Sequence, residues 1–109
     1  MTPDSISGVN LEGVSAAIPV ATFGIPQDAQ AWSEWAAKHR VKVVIDAAAA
    51  YGAQKVFPGV SAAFSLHATK PLCSAEGGFV MTTDEEHAAE LKRLSGFGLP
   101  SSEGLVGRP

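Results

Sequence analysis

The stretch Val41-Lys42-Val43-Val44-Ile45-Asp46 constrains this chain more than any other part of it. It is β-branched, almost without polar interruption, and too short for a buried helix. That is how a parallel strand covered on both faces reads. Before it, residues 27–39 carry Trp32, Trp35, Ala36 and His39 at the i, i+3, i+4, i+7 spacing of one helical face, with Gln30, Ser33, Glu34 and Lys38 largely elsewhere. Earlier still, residues 16–23 form a short apolar run suited to a buried strand. Pro19 within that run removes a ladder donor and favours an edge or a strand end. A strand, a helix and a second strand in this order point to a parallel α/β sheet.

The remaining elements extend that order. Residues 47–51 suit a short helical turn stopped by Gly52. Residues 62–67 read as a strand with Phe64 and Leu66 on one face and Ser65 and His67 on the other. Gly77-Gly78 leads into a last strand over residues 79–82. The short connection over residues 69–78 would allow a hairpin-like return, whereas a parallel return needs a long crossover. Parallel strands are expected to end near Phe23, Asp46 and His67. Thr83 and Glu86 have the spacing of a capping box. They open a helix to about Ser95, with Ala88, Leu91 and Leu94 inward and Lys92-Arg93 near the favourable C-terminal end. Gly96, Gly98 and Pro100 end it, and residues 101–109 are turn-rich.

At 109 residues, one domain is the ceiling. Apolar residues make up 46% and charged residues 17%, which is apolar for a small free-standing domain. Such a balance suits a chain that hides surface in an oligomer or belongs to something larger. The net charge of -3, without a basic run, argues against nucleic acid. No stretch approaches the length needed to cross a bilayer, and the N-terminus lacks the basic start and apolar stretch of a signal peptide. The single cysteine, Cys73, excludes an intrachain disulfide framework and suits a reducing compartment. A cytoplasmic protein is the expectation.

Asp46 stands where ligands sit in open α/β sheets, outside the carboxyl end of a strand. It could equally be a solvated strand terminus or the cap of the next turn. Lys70 follows the strand over residues 62–67, and a lone loop lysine is far more often a solvated surface charge. Ser65 and His67 could be satisfied core polar groups, and Glu76-Gly77-Gly78 a plain turn.

Taken together these residues read differently. Asp46-Ala47-Ala48-Ala49-Ala50-Tyr51-Gly52-Ala53, Phe64-Ser65-Leu66-His67-Ala68-Thr69-Lys70-Pro71 and Glu76-Gly77-Gly78-Phe79-Val80 follow one another with gaps that resemble the heart of the pyridoxal-phosphate sugar aminotransferases. This is the DegT/DnrJ/EryC1/StrS-type family, with the fold type I aspartate-aminotransferase architecture. The flanks agree: Ala17-Ile18-Pro19-Val20-Ala21-Thr22-Phe23-Gly24 looks like the strand before the family's central helix. Leu91-Lys92-Arg93-Leu94-Ser95-Gly96-Phe97-Gly98 looks like the helix end after its lysine strand. The resemblance covers about residues 14–98.

The resemblance implies part of a three-layer α/β large domain, its sheet mostly parallel with one antiparallel strand, residues 79–82, beside the lysine strand, and a transamination mechanism. Lys70 matches the lysine that forms the Schiff base with pyridoxal 5'-phosphate and shuttles the proton between substrate Cα and cofactor C4′. Asp46 matches the carboxylate that pairs with the pyridine nitrogen and keeps it protonated, the protein's main electronic lever on the cofactor. Ser65 matches a hydroxyl on the phosphate, with Ala48 and His67 as further candidate positions beside the cofactor. No metal is expected. The implied partners are a keto-sugar or nucleotide-sugar substrate, an amino-acid donor and a second copy of the chain. Two positions depart from the family's pattern: Ala49 stands where Gln or His is usual, and Ala21 where His is frequent. The family's first phosphate-binding segment, the aromatic that stacks on the ring, the downstream Asn-containing loop and the small C-terminal domain have no counterpart in this sequence. The expectation is the middle of a catalytic domain, inactive by itself. A non-catalytic assembly module on the same scaffold is the rival reading, and a cysteine desulfurase-like enzyme using Cys73 a weaker third.

Overall fold

The computed structural model describes residues 1–95. Its core is a four-stranded sheet in the sequential order β1 (Ala16–Ala17), β2 (Lys42–Asp46), β3 (Val60–Ser65), β4 (Gly78–Met81). β1, β2 and β3 are parallel, and β4 returns antiparallel along β3. Both the parallel set and the antiparallel return are as expected. α1 (Ala29–His39) links β1 to β2, and α2 (Glu85–Ser95) follows β4.

Register sorts the strand residues onto two faces. Val43 pairs with Val60 and Ile45 with Ala62, so Val43, Ile45, Val60, Ala62 and Phe64 share one face. All five are buried together with Trp32 and Trp35 of α1. Trp32 is fully enclosed and meets Trp35 edge-on at 5.5 Å between ring centres. Along the sheet this layer ends in an aromatic group, Phe64 stacked on Phe79 at 4.9 Å with Tyr51 edge-on to both. Val44, Asp46, Ser61, Ala63 and Ser65 occupy the opposite face, and all but Ser61 are only half-buried. α2 lies on this side, tied to the sheet where His87 Nδ1 stands 3.4 Å from the Ser61 hydroxyl. The strand expected to be covered on both faces is thus closed on one side, and helices flank the sheet in three layers.

Several boundaries differ from expectation for local reasons. The apolar run over residues 16–23 is not one strand. Pairing breaks at Pro19, resumes as a single bridge between Val20 and Asp46, and gives way to a 3-10 turn over Thr22–Gly24. In α1 the Asp28 carboxylate accepts from the Ala31 N–H, so the helix begins at Ala29 and not Gln27. Arg40, left-handed at φ 55°, ends it. His39 is exposed, although its ring lies 4.9 Å from that of Trp35. Residues 47–53 form successive turns and no helix. β3 runs two residues earlier than expected and ends at Ser65, while β4 starts at Gly78.

α2 is capped by Asp84, whose carboxylate accepts from the His87 N–H, and Thr82 Oγ1 accepts from the Asp84 N–H. The Thr83–Glu86 box does not form. Ala88, Leu91 and Leu94 face the sheet as expected, lining one concavity with Ala63 and Val80, but Ala88 and Leu94 stay exposed there and Leu91 is only half-buried. Arg93 grips Glu90 through two hydrogen bonds, which hold the Glu90 carboxyl below its usual range and raise the guanidinium. The helix-ending residues 96–100 and the tail lie outside the described residues. Among the described residues no helix is long and apolar enough to cross a membrane.

Candidate functional site

Asp46 closes β2, and main-chain bonds hold it from both sides. Its N–H donates to Pro19 O at 2.9 Å, its C=O accepts from the Ala21 N–H at 2.8 Å, and the next N–H, of Ala47, donates to Ala63 O at 2.8 Å. The carboxylate Oδ1 accepts from the Ala48 N–H at 3.0 Å, so Ala48 enters the site as a backbone donor. This turn fixes the side chain and leaves Oδ2 available as an acceptor.

Ser65 closes β3. Asp46 pairs with Ala63, so Ser65, two residues on, lies on the same face and further toward the carboxyl end. Strand spacing and rise put the two Cα atoms roughly 8 Å apart. Ser65 Oγ accepts from the His67 N–H at 3.2 Å and keeps its own proton for another acceptor.

Beyond Ser65 the chain makes a loop that keeps some ladder character. The Leu66 N–H donates to Gly77 O and the Ala68 N–H to Ala75 O, with Ala75 at φ 67°. Lys70 sits at its far end, half-buried, its N–H donating to His67 O at 2.9 Å. Among the described residues Lys70 makes no ion pair and no direct bond to Asp46 or Ser65. Asp46 and Ser65 are therefore brought together, and Lys70 stands one turn beyond them. His67 is largely exposed. Its Nδ1 stands 3.0 Å from Thr69 Oγ1, and its Nε2 stands 3.7 Å from Glu76 Oε1.

Sequence reasoning missed the residues that lock this end of the sheet. Gln54, buried in a loop, accepts from the Gln27 N–H at 2.8 Å and donates to Gln27 O at 3.1 Å. Gln27 in turn donates to Val20 O at 2.8 Å and accepts from Trp32 Nε1 at 3.0 Å. The loop after β1 is thereby bound to the loop after β2. Gly24, at φ 80°, lies so close that an added Cβ would come within 2.8 Å of Ala49 O. Gly78 is as tight, 2.7 Å from Phe64 O by the same measure. Polar loop residues show no periodicity, so only the Gly-Gly pair could have signalled such closeness.

Two concavities on the α2 side, of about 660 and 540 Å³, are lined by residues of β3, β4 and α2 and by the amino end of β2, and neither includes Asp46, Ser65 or Lys70. The chemistry present at the carboxyl ends is an acceptor, a hydroxyl donor and an amine, each on a half-buried residue.

Known proteins share this arrangement of elements. Residues 1–106 match the DegT/DnrJ/EryC1/StrS aminotransferase family. Among solved structures, the chain is similar to DesI, determined in the presence of its TDP-sugar product, at 31% identity and a TM-score of 0.80, covering 93% of this chain and 27% of that one. DesV of S. venezuelae, in complex with a ketimine intermediate, gives 30% identity and a TM-score of 0.81 over 94% of this chain and 29% of that one. PseC of Helicobacter pylori, an aminotransferase involved in the biosynthesis of pseudoaminic acid, gives 25% identity and a TM-score of 0.78 over 99% of this chain and 30% of that one. The chain spans about 27–30% of the length of these relatives. By its match over nearly all its residues, it belongs to the DegT/DnrJ/EryC1/StrS aminotransferase family, whose members use pyridoxal phosphate.

Proposed function

We propose that these residues are the central part of the large domain of a pyridoxal-phosphate aminotransferase that converts keto groups of sugars or nucleotide sugars to amines. The observation that carries this reading is the placement of Asp46 and Ser65 on one face, at the carboxyl ends of adjacent parallel strands, with Lys70 one turn beyond. The groups fit the cofactor. Asp46 Oδ2 can accept from a protonated ring nitrogen, Ser65 can donate its hydroxyl proton to a phosphate oxygen, and Lys70 supplies an amine that, among the described residues, has no competing ion pair. When bound, the cofactor supplies an electron-accepting ring for the bond changes at the amino carbon. Asp46 holds the proton at the ring nitrogen by its charge. Lys70 Nζ, when neutral, is the base that takes the proton from substrate Cα.

Catalysis requires these groups to be held in register with further phosphate and substrate contacts, so the 109-residue chain alone is expected to be inactive. The working form is proposed as a homo-oligomer in the cytoplasm, with an amino-acid donor as second substrate.

Treatment with pyridoxal phosphate followed by borohydride tests the reading. The reduced adduct is expected preferentially at Lys70, and Asp46→Asn is expected to remove that preference over Lys38, Lys42, Lys55 and Lys92. A charge pair in a partly dry site is enough to favour one lysine over others. Adducts spread evenly over all lysines in the unsubstituted chain would overturn the cofactor reading and leave an assembly scaffold. Measurable transamination by the chain alone would overturn the claim that it is inactive alone.

A further inference from the structure

We propose that His67 is the positioning residue for Lys70, holding the lysine turn in place through its Nδ1 atom. This rests on the reading of Lys70 as the cofactor amine. The path from Ser65 to Lys70 is a relay of short-range bonds. Ser65 Oγ accepts from the His67 N–H at 3.2 Å. His67 Nδ1 then accepts from the Thr69 N–H at 3.3 Å, and Thr69 Oγ1 lies 3.0 Å from the same nitrogen. His67 O accepts from the Lys70 N–H at 2.9 Å. A side-chain atom that accepts from the N–H two residues on is the geometry of an Asx turn, here made by an imidazole. The one histidine thus takes up the successive N–H groups of Thr69 and Lys70, one with its ring and one with its carbonyl.

The ring's orientation follows from the same contacts. Because Nδ1 accepts from the backbone, the neutral ring carries its proton on Nε2, which faces Glu76 Oε1 at 3.7 Å across the loop. Both side chains of that pair are well exposed, so it aims the ring and contributes little stability. The consequence falls on Lys70. A lysine on a turn that frays spreads its amine over many positions, whereas one on a turn hydrogen-bonded at two successive amides keeps its backbone fixed against Ser65 and the end of β3.

Two substitutions in the 109-residue chain separate this role from general structural damage. His67→Asn keeps an acceptor that can make the same turn but removes the imidazole. His67→Leu keeps bulk and removes the acceptor. Amide hydrogen exchange at Thr69 and Lys70 is expected to speed up on the order of fivefold in His67→Leu, the weight of one hydrogen bond. In His67→Asn it is expected to return to the original rate, with the amides of β2 and β3 unchanged in both. The share of borohydride-trapped pyridoxal phosphate at Lys70 is expected to fall in His67→Leu and recover in His67→Asn. Unchanged exchange in His67→Leu, or no recovery in His67→Asn, would overturn the proposal. If the original chain shows no preference for Lys70, the cofactor reading fails, and the exchange rates still decide whether His67 orders the turn.

Discussion

Gly78 shows how much of this site depends on single atoms. It opens β4 opposite Ser65, and a Cβ there would press to 2.7 Å on Phe64 O. Gly78→Ala is therefore expected to destabilise the chain by about 1–3 kcal/mol, the usual cost of overpacking. Gly8→Ala, where nothing lies within 4 Å, should leave the urea midpoint unchanged. Equal midpoints for the two variants would show that β3 and β4 can part without cost. The same scale explains what the sequence disclosed. The pairing of Asp46 and Ser65 on one face was legible from strand alternation, and the Gly-Gly pair was legible only as a break. The cap of α2 went to Asp84 and not Thr83, because both are good capping residues and a shift of one position looks the same in sequence.

The two helices show why periodicity predicts one element well and the other poorly. α1 turns Trp32 and Trp35 onto the sheet as its spacing implies, and Trp32 adds a bond to Gln27. Trp32→Ala is expected to cost about 3–5 kcal/mol in denaturant unfolding, and possession of a native-like midpoint would contradict the burial described. α2 has an equally clear apolar stripe but buries no residue among those described, so the pattern marked a face without marking what it meets. Its stability then depends on its ends and its surface pairs. Asp84→Ala should reduce its helix content by about 1 kcal/mol of capping, and Thr83→Ala should not. The pH dependence has a definite sign. Glu90's carboxyl is lowered by Arg93, so the pair's contribution is present above the unfolded carboxylate range and lost as pH falls through the lowered value. Helical circular dichroism should therefore drop on acidification by more in the original chain than in Glu90→Gln.

Across the whole molecule, the directions of the strands were readable because the alternation of strands and helix points to parallel pairing and the family pattern implies one antiparallel return, which the short connection over residues 69–78 allows. Surface was less readable, since no local pattern tells which apolar side chains lack a partner. Phe23 is 95% exposed, Ile25 69% and Ile18 61%, on the same stretch that ends β1. Self-association is the expected consequence: sedimentation at micromolar concentration should show species larger than a monomer, shifting toward monomer in Phe23→Ser. A single monomeric boundary for the original chain would refute this. A last consequence follows from the way Asp46 is held. Its own two tethers and that of Ala47 run through main-chain atoms of Pro19, Ala21 and Ala63, and none depends on which side chain follows it. Ala47 and Ala50 are sealed in the core, whereas Ala48 and Ala49 are only half-buried. Ala49→Gln should accordingly leave the unfolding midpoint in place. Evolution can thus rewrite the two neighbours of a fixed charge and try new ligands there while the charge itself never moves.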